Sequence, residues 1–171
     1  KWQYSLGAVA AIFHDVIIVL GIFSILSRLD LGFSMEVNQP LIAALLTIIG
    51  YSINDTVVVF DRIRENLGEM RASRISDVYN ISIDQTISRT LITSVTTFLT
   101  ALTIFLFGGD GIRGFIFAIM IGIIVGTYSS VFVASPISLD LILRQSPELD
   151  EEQVQTKKSK KKKSNKKKSK A

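Results

Sequence analysis

The sequence has no cysteine and a single histidine, His14, among its 171 residues. The lack of cysteine excludes a disulfide framework and thiol chemistry. One histidine cannot form a histidine-based metal site by itself. The sequence also shows neither a cluster of His, Asp and Glu at metal-ligand spacing nor a glycine-rich phosphate loop. We therefore expect no metal, no cofactor and no enzymatic activity.

Positive charge is scarce except at the C-terminal end. The formal net charge is +4, but ten of the nineteen basic residues are lysines within residues 157–171, and the remainder has nine basic against fifteen acidic residues. No aromatic side chain lies among these lysines to stack on bases, so we expect no nucleic-acid binding. We interpret residues 144–171 as a disordered cytoplasmic tail that contacts anionic membrane lipids or has no specific role. Binding to ribosomal RNA is the less favoured alternative.

Hydrophobic residues, by contrast, are abundant and come in long runs. They make up 48% of the chain, and the mean hydropathy is +0.40. Four runs of about 20 residues match a hydrocarbon core of ~30 Å. We therefore predict an all-α fold, a polytopic membrane helical bundle within residues 1–143, followed by the tail. The predicted transmembrane helices cover residues 5–27, 41–60, 88–107 and 114–135, the last of them stopped by Ser135 and Pro136.

The connections between these runs predict the orientation in the membrane. Residues 61–87, which we interpret as an amphipathic helical hairpin or a surface helix, carry four arginines, whereas each of the other two connections carries one. Because cytoplasmic loops are enriched in Lys and Arg, we expect residues 61–87 and both chain ends in the cytoplasm. The chain begins at Lys1 rather than at a methionine, so we expect it to be the C-terminal part of a longer protein.

Asp55 lies inside the otherwise uncharged run of residues 41–60. A carboxylate at that depth costs roughly 2.5–3.5 kcal/mol on insertion scales, and such residues usually face a partner charge or a water path. Arg89 begins the next run from the same side of the membrane, so we interpret the two as a proton-transfer pair. Asp55 would take up a proton when separated from Arg89 and release it when the two reunite. The alternative is a permanent ion pair that only fixes helix packing.

Polar side chains extend from both members of this pair. In the second run, Tyr51 and Thr47 lie on the same helical face as Asp55, with Ser52 and Asn54 beside them. In the third run, the spacing of Arg89, Thr93, Thr96, Thr100 and Thr103 places them on one helical face. The threonines indicate either a hydrated path or helix–helix packing, and the sequence leaves both open.

A second carboxylate, Asp15, lies in the first run next to His14. It is a further proton-transfer candidate with His14 as its partner, or else it makes a local hydrogen bond that anchors the helix. Two intramembrane aspartates also suggest an aspartyl protease. The Tyr-Asp and Gly-x-Gly-Asp signatures of such enzymes are absent, since Phe13-His14 and Ile53-Asn54 precede the two aspartates.

The fourth run has a small residue at every fourth position, which favours close approach of another helix. These residues are Gly114, Ala118, Gly122, Gly126, Ser130 and Ala134. We interpret this small-residue stripe as a packing surface rather than a chemical site.

Three long stretches closely resemble the SecF family of protein-export membrane proteins. They are IAALLTIIGYSINDTVVVFDRIREN, which begins at Ile42, ISRTLITSVTTFLTALTIFLFGG and IRGFIFAIMIGIIVGTYSSVFVASP. Residues 8–21, which include His14 and Asp15, are similar to the preceding segment of the family. The resemblance covers about residues 4–143 and leaves only the tail unmatched.

The resemblance implies a function that the residues alone leave open. SecF proteins have six transmembrane helices, and this chain would supply helices three to six of such a six-helix half. Members pair with SecD in an architecture similar to resistance-nodulation-division exporters, and associate with the SecYEG translocon. They use the proton gradient to draw secretory proteins across the bacterial plasma membrane. Asp55 matches the aspartate of the family's Asn-Asp-Thr motif and Arg89 the arginine of its Ser-Arg-Thr motif, both linked with proton transport.

Two other functions remain as alternatives to protein export. One is a proton-driven exporter of small molecules or lipids with the same helical architecture. The other is a passive membrane scaffold for partner proteins.

Overall fold

The computed structural model describes residues 2–29, 39–70 and 73–145. These residues form α1 (Trp2–Leu26), α2 (Gln39–Glu69), α3 (Ile75–Phe107), α4 (Asp110–Ser129), a π-helical segment (Ser130–Ala134) and α5 (Ser135–Gln145). In this described part, four helical stretches are long and apolar enough to cross a membrane: α1, α2, α3 and the continuous run Asp110–Gln145. The predicted all-α membrane bundle is confirmed.

Helices α2 and α3 extend well beyond the apolar runs that predicted them. α2 continues to Glu69 and α3 begins at Ile75, so residues 61–69 and 75–87 form the two arms of a helical hairpin. This is one of the two forms expected for that segment. We call this side of the bundle the hairpin end, and the opposite side, where Gly108 and Gly109 connect α3 to α4, the glycine end.

The expectation that the fourth helix stops at Ser135 and Pro136 is wrong. The chain remains helical from Asp110 to Gln145, and Pro136 lies in the first turn of α5. A proline ring clashes with the carbonyl four residues earlier in a regular α-helix. Here the preceding turn widens into the π-helical segment, and the Ser135 hydroxyl donates a 3.0 Å hydrogen bond to the carbonyl of Ser130. The helix therefore accommodates the proline instead of ending at it.

The bundle core consists of apolar layers on either side of a polar one. The apolar cluster at the hairpin end contains Tyr4, Ala11, Val59, Phe60, Ile63, Ile75, Tyr79, Ala134 and Ile142. The cluster toward the glycine end contains Phe23, Leu41, Ala44 and Ala118. Between them, at the middle of the helices, the buried side chains are polar: Asp15, Ser52, Asp55, Thr56, Thr90, Ser94, Ser129 and Ser130. Buried polar groups at this depth need partners within the bundle, because lipid offers none.

Helices α2 and α3 run antiparallel, and three side-chain hydrogen bonds fix their register. They join Tyr51 to Ser94 (3.2 Å), Arg62 to Gln85 (2.6 Å) and Asn66 to Ser82 (2.8 Å). Residue numbers rise along α2 as they fall along α3. Residues of α2 one turn beyond Tyr51 therefore lie level with residues of α3 one turn before Ser94.

The small-residue stripe of the fourth run packs against α2. A Cβ atom added at Gly122 would overlap the side chain of Ile48, and one added at Gly126 would lie 3.2 Å from the Cβ of Ser52. At the hairpin end, Gly7 of α1 similarly allows contact with the π-helical segment, since its added Cβ would lie 2.7 Å from the carbonyl oxygen of Ala134. These close approaches bring the polar side chains of three helices within hydrogen-bond distance.

Most of the predicted tail, residues 146–171, lies outside the described residues. The same holds for residues 30–38 in the first connection. The orientation relative to the cytoplasm stays a prediction.

Candidate functional site

Asp55 lies near the middle of α2 and is only 4% exposed. The hydroxyl of Ser94 in α3 lies near its carboxyl group and acts on it. Ser94 also accepts a hydrogen bond from the Tyr51 hydroxyl at 3.2 Å, and its Oγ lies 2.6 Å from Oγ1 of Thr127 in α4. Asp55 is therefore enclosed by a cluster of hydroxyl groups that three helices contribute.

The hydrogen-bonding capacity of Ser94 explains this arrangement. A serine hydroxyl donates one hydrogen and accepts two. When Thr127 donates to Ser94 together with Tyr51, both acceptor positions are used and the single hydrogen of Ser94 is available for Asp55. When Thr127 donates to its own backbone, Ser94 donates to Thr127 instead. The Thr127 hydroxyl also lies 2.7 Å from the carbonyl oxygen of Ile123, so its hydrogen has a second acceptor. The cluster can thus donate to an ionised Asp55 and can reorganise when that carboxylate becomes protonated.

One carboxylate oxygen of Asp55 is left without a partner. Within the part of the chain that the structure describes, Oδ2 is buried and makes no hydrogen bond. The same holds for the hydroxyl oxygen of Thr90 in α3, which is 2% exposed. Buried polar atoms without partners are rare and cost about 1–3 kcal/mol each. The α2–α3 interface is therefore unusual, because it holds two buried oxygens without a hydrogen-bond partner among the described residues.

Arg89, the predicted partner of Asp55, lies near it without contacting it. Its positive charge acts on the Asp55 carboxyl, but among the described residues no ion pair joins the two side chains. The Arg89 side chain is exposed on the outer face of α3. The arrangement corresponds to the separated form of the predicted pair, and whether the two groups meet in another conformation stays a prediction.

The other predicted carboxylate, Asp15, is 1% exposed and belongs to a different cluster. The hydroxyls of Ser52 in α2 and Ser129 in α4 donate to its Oδ2 at 2.5 and 2.8 Å. Nδ1 of His14 lies 3.1 Å from its Oδ1. Asp15 thus connects α1 to α2 and α4 at the centre of the bundle.

His14 is more exposed than Asp15. Its side chain is 30% exposed, whereas the carboxylate that it contacts is buried. The pair therefore links a buried acceptor to the surface of α1. This geometry is compatible with both readings of Asp15, as a proton-transfer group and as an anchor.

Sequence reasoning found part of these two clusters. Tyr51 and Ser52, expected to extend the polar face of α2, do join them, whereas Asn54 is exposed. The partners Ser94, Thr127 and Ser129 were missed. Serine and threonine are common in membrane helices, so only the direction in which each helix faces its neighbours distinguishes them.

The predicted threonine face of α3 lies on the outside of the described bundle. Its members Thr93, Thr96, Thr100 and Thr103 are exposed, and each donates a hydrogen bond to a backbone carbonyl of its own helix. The hydroxyls are thus satisfied locally, and the face is available to another helix or to water.

The described residues contain no group of three or more His, Asp or Glu side chains that could hold a metal ion.

Residues 1–144 match the family model described as protein export membrane protein SecD/SecF, C-terminal. The chain belongs to the SecD/SecF family. Among SecF proteins it is 56% identical over 144 residues to the protein translocase subunit SecF of Rhodothermus marinus, covering 84% of this chain and 46% of that protein. It is 47% identical over 156 residues to the same subunit of Vibrio alginolyticus, covering 89% and 47%.

Solved structures of SecDF share the fold. The crystal structure of SecDF in a super-membrane-facing form superposes with a TM-score of 0.76 at 45% identity, covering 86% of this chain and 19% of that one. SecDF from Thermus thermophilus, described as a translocon-associated membrane protein, gives 0.75 at 45% identity and covers 82% and 19%. The chain thus spans less than half the length of these SecF relatives and about a fifth of the SecDF chains.

Proposed function

We propose that this chain is the C-terminal membrane part of an accessory subunit of the bacterial Sec protein-export machinery. In this role the subunit couples the proton gradient to the movement of secretory proteins across the plasma membrane. Membership of the SecD/SecF family supports the export role. The coupling step is assigned to Asp55, with Arg89 as the charge that responds to its protonation.

One observation carries the assignment of Asp55. Its carboxyl group is buried between membrane helices and near a positive charge, and one of its oxygens has no hydrogen-bond partner in the described residues. A carboxylate that served only to fix packing would be expected to use both oxygens, as Asp15 does. An oxygen without a partner is available to a proton.

The second aspartate, Asp15, has a secondary place in the proposal. Its contact with the half-buried His14 supports a route for protons to the surface of α1. Its two serine donors equally support the anchoring alternative.

SecD is the partner that this bundle supports best. The structural relatives are SecDF chains, and the exposed threonine face of α3 with Arg89 offers a polar surface that lipid would not favour. A helix of the SecD half on this face would enclose Arg89 near Asp55. The SecYEG translocon and translocating secretory proteins follow as further partners from the export role.

The proposed location is the bacterial plasma membrane, with the hairpin end and the C-terminus in the cytoplasm. The arginines of residues 61–87 and the lysines after residue 156 support this orientation. Anionic lipids of the inner leaflet are the proposed partners of the lysines.

The test is protein export by membrane vesicles that contain the full-length subunit in its complete complex. Asp55→Asn keeps the shape of the side chain but removes its titration, so stimulation of export by a proton gradient should be lost while the complex remains assembled. The exposed Asp84 provides the control, because Asp84→Asn should retain gradient-dependent export. A full response to the gradient in Asp55→Asn would exclude the proton-coupling role and leave only a structural one.

A further inference from the structure

We propose that Oδ2 of Asp55 and the hydroxyl of Thr90 together form a binding site for one water molecule, through which Asp55 exchanges its proton. The inference rests on the proposed role of Asp55 in proton transfer. It assigns to Thr90 a positioning role.

The register of α2 and α3 brings Asp55 and Thr90 to the same level of the bundle. Tyr51 pairs with Ser94, and farther along Arg62 pairs with Gln85. Asp55 lies four residues after Tyr51, and Thr90 lies four residues before Ser94. Because the helices are antiparallel, Asp55 and Thr90 both lie one helical turn from the Tyr51–Ser94 pair, in the same direction along the bundle. The two side chains therefore lie at the same level of the interface.

At that level, two buried side-chain oxygens of the described residues have no hydrogen-bond partner. Only three buried side-chain atoms in the described residues lack a hydrogen-bond partner, and two of them are Oδ2 of Asp55 and Oγ1 of Thr90. The third belongs to Gln3, near the N-terminal end of α1. A buried water needs at least two polar partners and commonly satisfies groups that are otherwise unpaired. The two atoms supply that minimum.

Thr90 differs from the other threonines of α3 in its hydrogen bonding. Each of the others donates its hydroxyl hydrogen to a carbonyl three or four residues earlier: Thr86, Thr93, Thr96, Thr97, Thr100 and Thr103. Thr90 is buried and makes no such bond within the described part of the chain. Its hydroxyl therefore remains available for a ligand at the helix interface.

The bound water passes a proton from the aqueous side to Asp55. A hydronium ion that arrives from the aqueous side gives a proton to the bound water, and the water passes one of its hydrogens to Oδ2 of Asp55. The carboxylate becomes a carboxylic acid, and both former carriers are neutral water molecules. Thr90 neither gains nor loses a proton, because its hydroxyl only holds the water in line. Other titratable groups near the carboxyl are Arg89 in α3 and Tyr51 on the same helix, and Asp15 with His14 lies one cluster away.

Two substitutions at Thr90 and one matched control test the site in the full-length protein and its complex. Thr90→Val removes the hydroxyl and keeps the branched shape, whereas Thr90→Ser keeps the hydroxyl. Thr86→Val is the control, because Thr86 is buried on the same helix face but donates to its own backbone at 2.9 Å. Infrared difference spectra report the carboxyl band of Asp55, which is identified by its loss in Asp55→Asn.

We expect Thr90→Val to shift the Asp55 carboxyl band and to reduce gradient-dependent export about tenfold, the equivalent of ~1.4 kcal/mol. Thr90→Ser should restore both measurements, and Thr86→Val should change neither. If Thr90→Val gives the same band and export as Thr86→Val, the water site does not exist. If Thr90→Ser fails to restore them, the methyl group matters rather than the hydroxyl, and the inference is equally overturned. Either result leaves the proposed function intact as long as Asp55→Asn abolishes the response to the gradient.

Discussion

The hydroxyl of Ser129 in α4 donates a 2.8 Å hydrogen bond to Oδ2 of Asp15 in α1, across 114 residues of sequence. The same oxygen accepts a bond from Ser52 of α2, so one buried carboxylate holds three helices together. Lipid offers no acceptor that could replace this carboxylate. The stability of the bundle should therefore depend on Asp15 whether or not it also carries protons.

We predict that Asp15→Ala lowers the stability of the folded protein. Loss of the acceptor leaves the buried hydroxyl of Ser52 without its partner, at a cost of about 1–3 kcal/mol, whereas Ser129 can still donate to the carbonyl of Gly126 at 3.2 Å. The melting temperature of the detergent-solubilised complex measures the effect. Asp84→Ala, at an exposed position, is the control. Equal melting temperatures for the two variants would show that Asp15 does not anchor the helices.

A second prediction concerns the close packing of α4 on α2. Gly122→Ala should weaken assembly by about 1–3 kcal/mol, the usual range for overpacking, because its Cβ would overlap the buried side chain of Ile48. Gly50→Ala is the control, since an added Cβ there meets nothing within 4 Å. The yield of folded complex after detergent extraction measures both.

Relief of the overlap provides a further check on that prediction. Ile48→Ala combined with Gly122→Ala removes the side chain that the new methyl group meets. The double variant should lose less stability than the sum of the losses in the two single variants. Strict additivity would mean that Gly122 is sensitive for a reason other than contact with Ile48.

The sequence was sufficient to predict the class of fold and the presence of two carboxylates, Asp15 and Asp55, inside the bundle. Long apolar runs have few alternatives to membrane helices, and a charge inside them stands out whatever surrounds it. The small residues of α4 likewise predicted close packing. The contact of Gly122 with Ile48, which leaves no room for a Cβ atom, bears this out. Each of these signals is contained within a single helix.

What the sequence could not supply depends on relations between helices. The partners Ser94 and Ser129 are ordinary residues until the register of neighbouring helices brings them to Asp55 and Asp15. The extension of the fourth helix through Pro136 was missed for a different reason. Proline usually ends a helix, but a π-helical turn can absorb it when the segment is packed on both sides.

A third prediction tests the orientation of the bundle. The chain has no cysteine, so single cysteines can be introduced at exposed positions of the two ends. In a full-length protein without other cysteines, Gly109→Cys should react with a membrane-impermeant thiol reagent on intact cells. Glu69→Cys at the hairpin end should react only after the membrane is permeabilised. Reaction of Glu69→Cys on intact cells would reverse the proposed topology.

The last prediction concerns Arg89, whose side chain is exposed and forms no ion pair with Asp55 in the described bundle. Arg89→Ala should therefore cost the bundle little stability, within roughly 0.5 kcal/mol as for most surface positions. It should nevertheless reduce gradient-dependent export by about tenfold or more, the effect of losing at least ~1.4 kcal/mol of coupling. Arg89→Lys should retain part of the response, because it keeps the charge but loses the planar guanidinium.

The measurements that separate these effects are the melting temperature of the full-length subunit without SecD and the export rate of the complete complex in vesicles with and without a proton gradient. Arg74→Ala is the matched control, since Arg74 is exposed at the start of the same helix but lies in the hairpin turn, far from Asp55. A selective loss of gradient-dependent export in Arg89→Ala, with an unchanged melting temperature, would place Arg89 in the coupling step. If Arg89→Ala instead melts at a lower temperature and exports in proportion to the folded protein that remains, Arg89 acts only in assembly, and Asp55 must respond to protons without it.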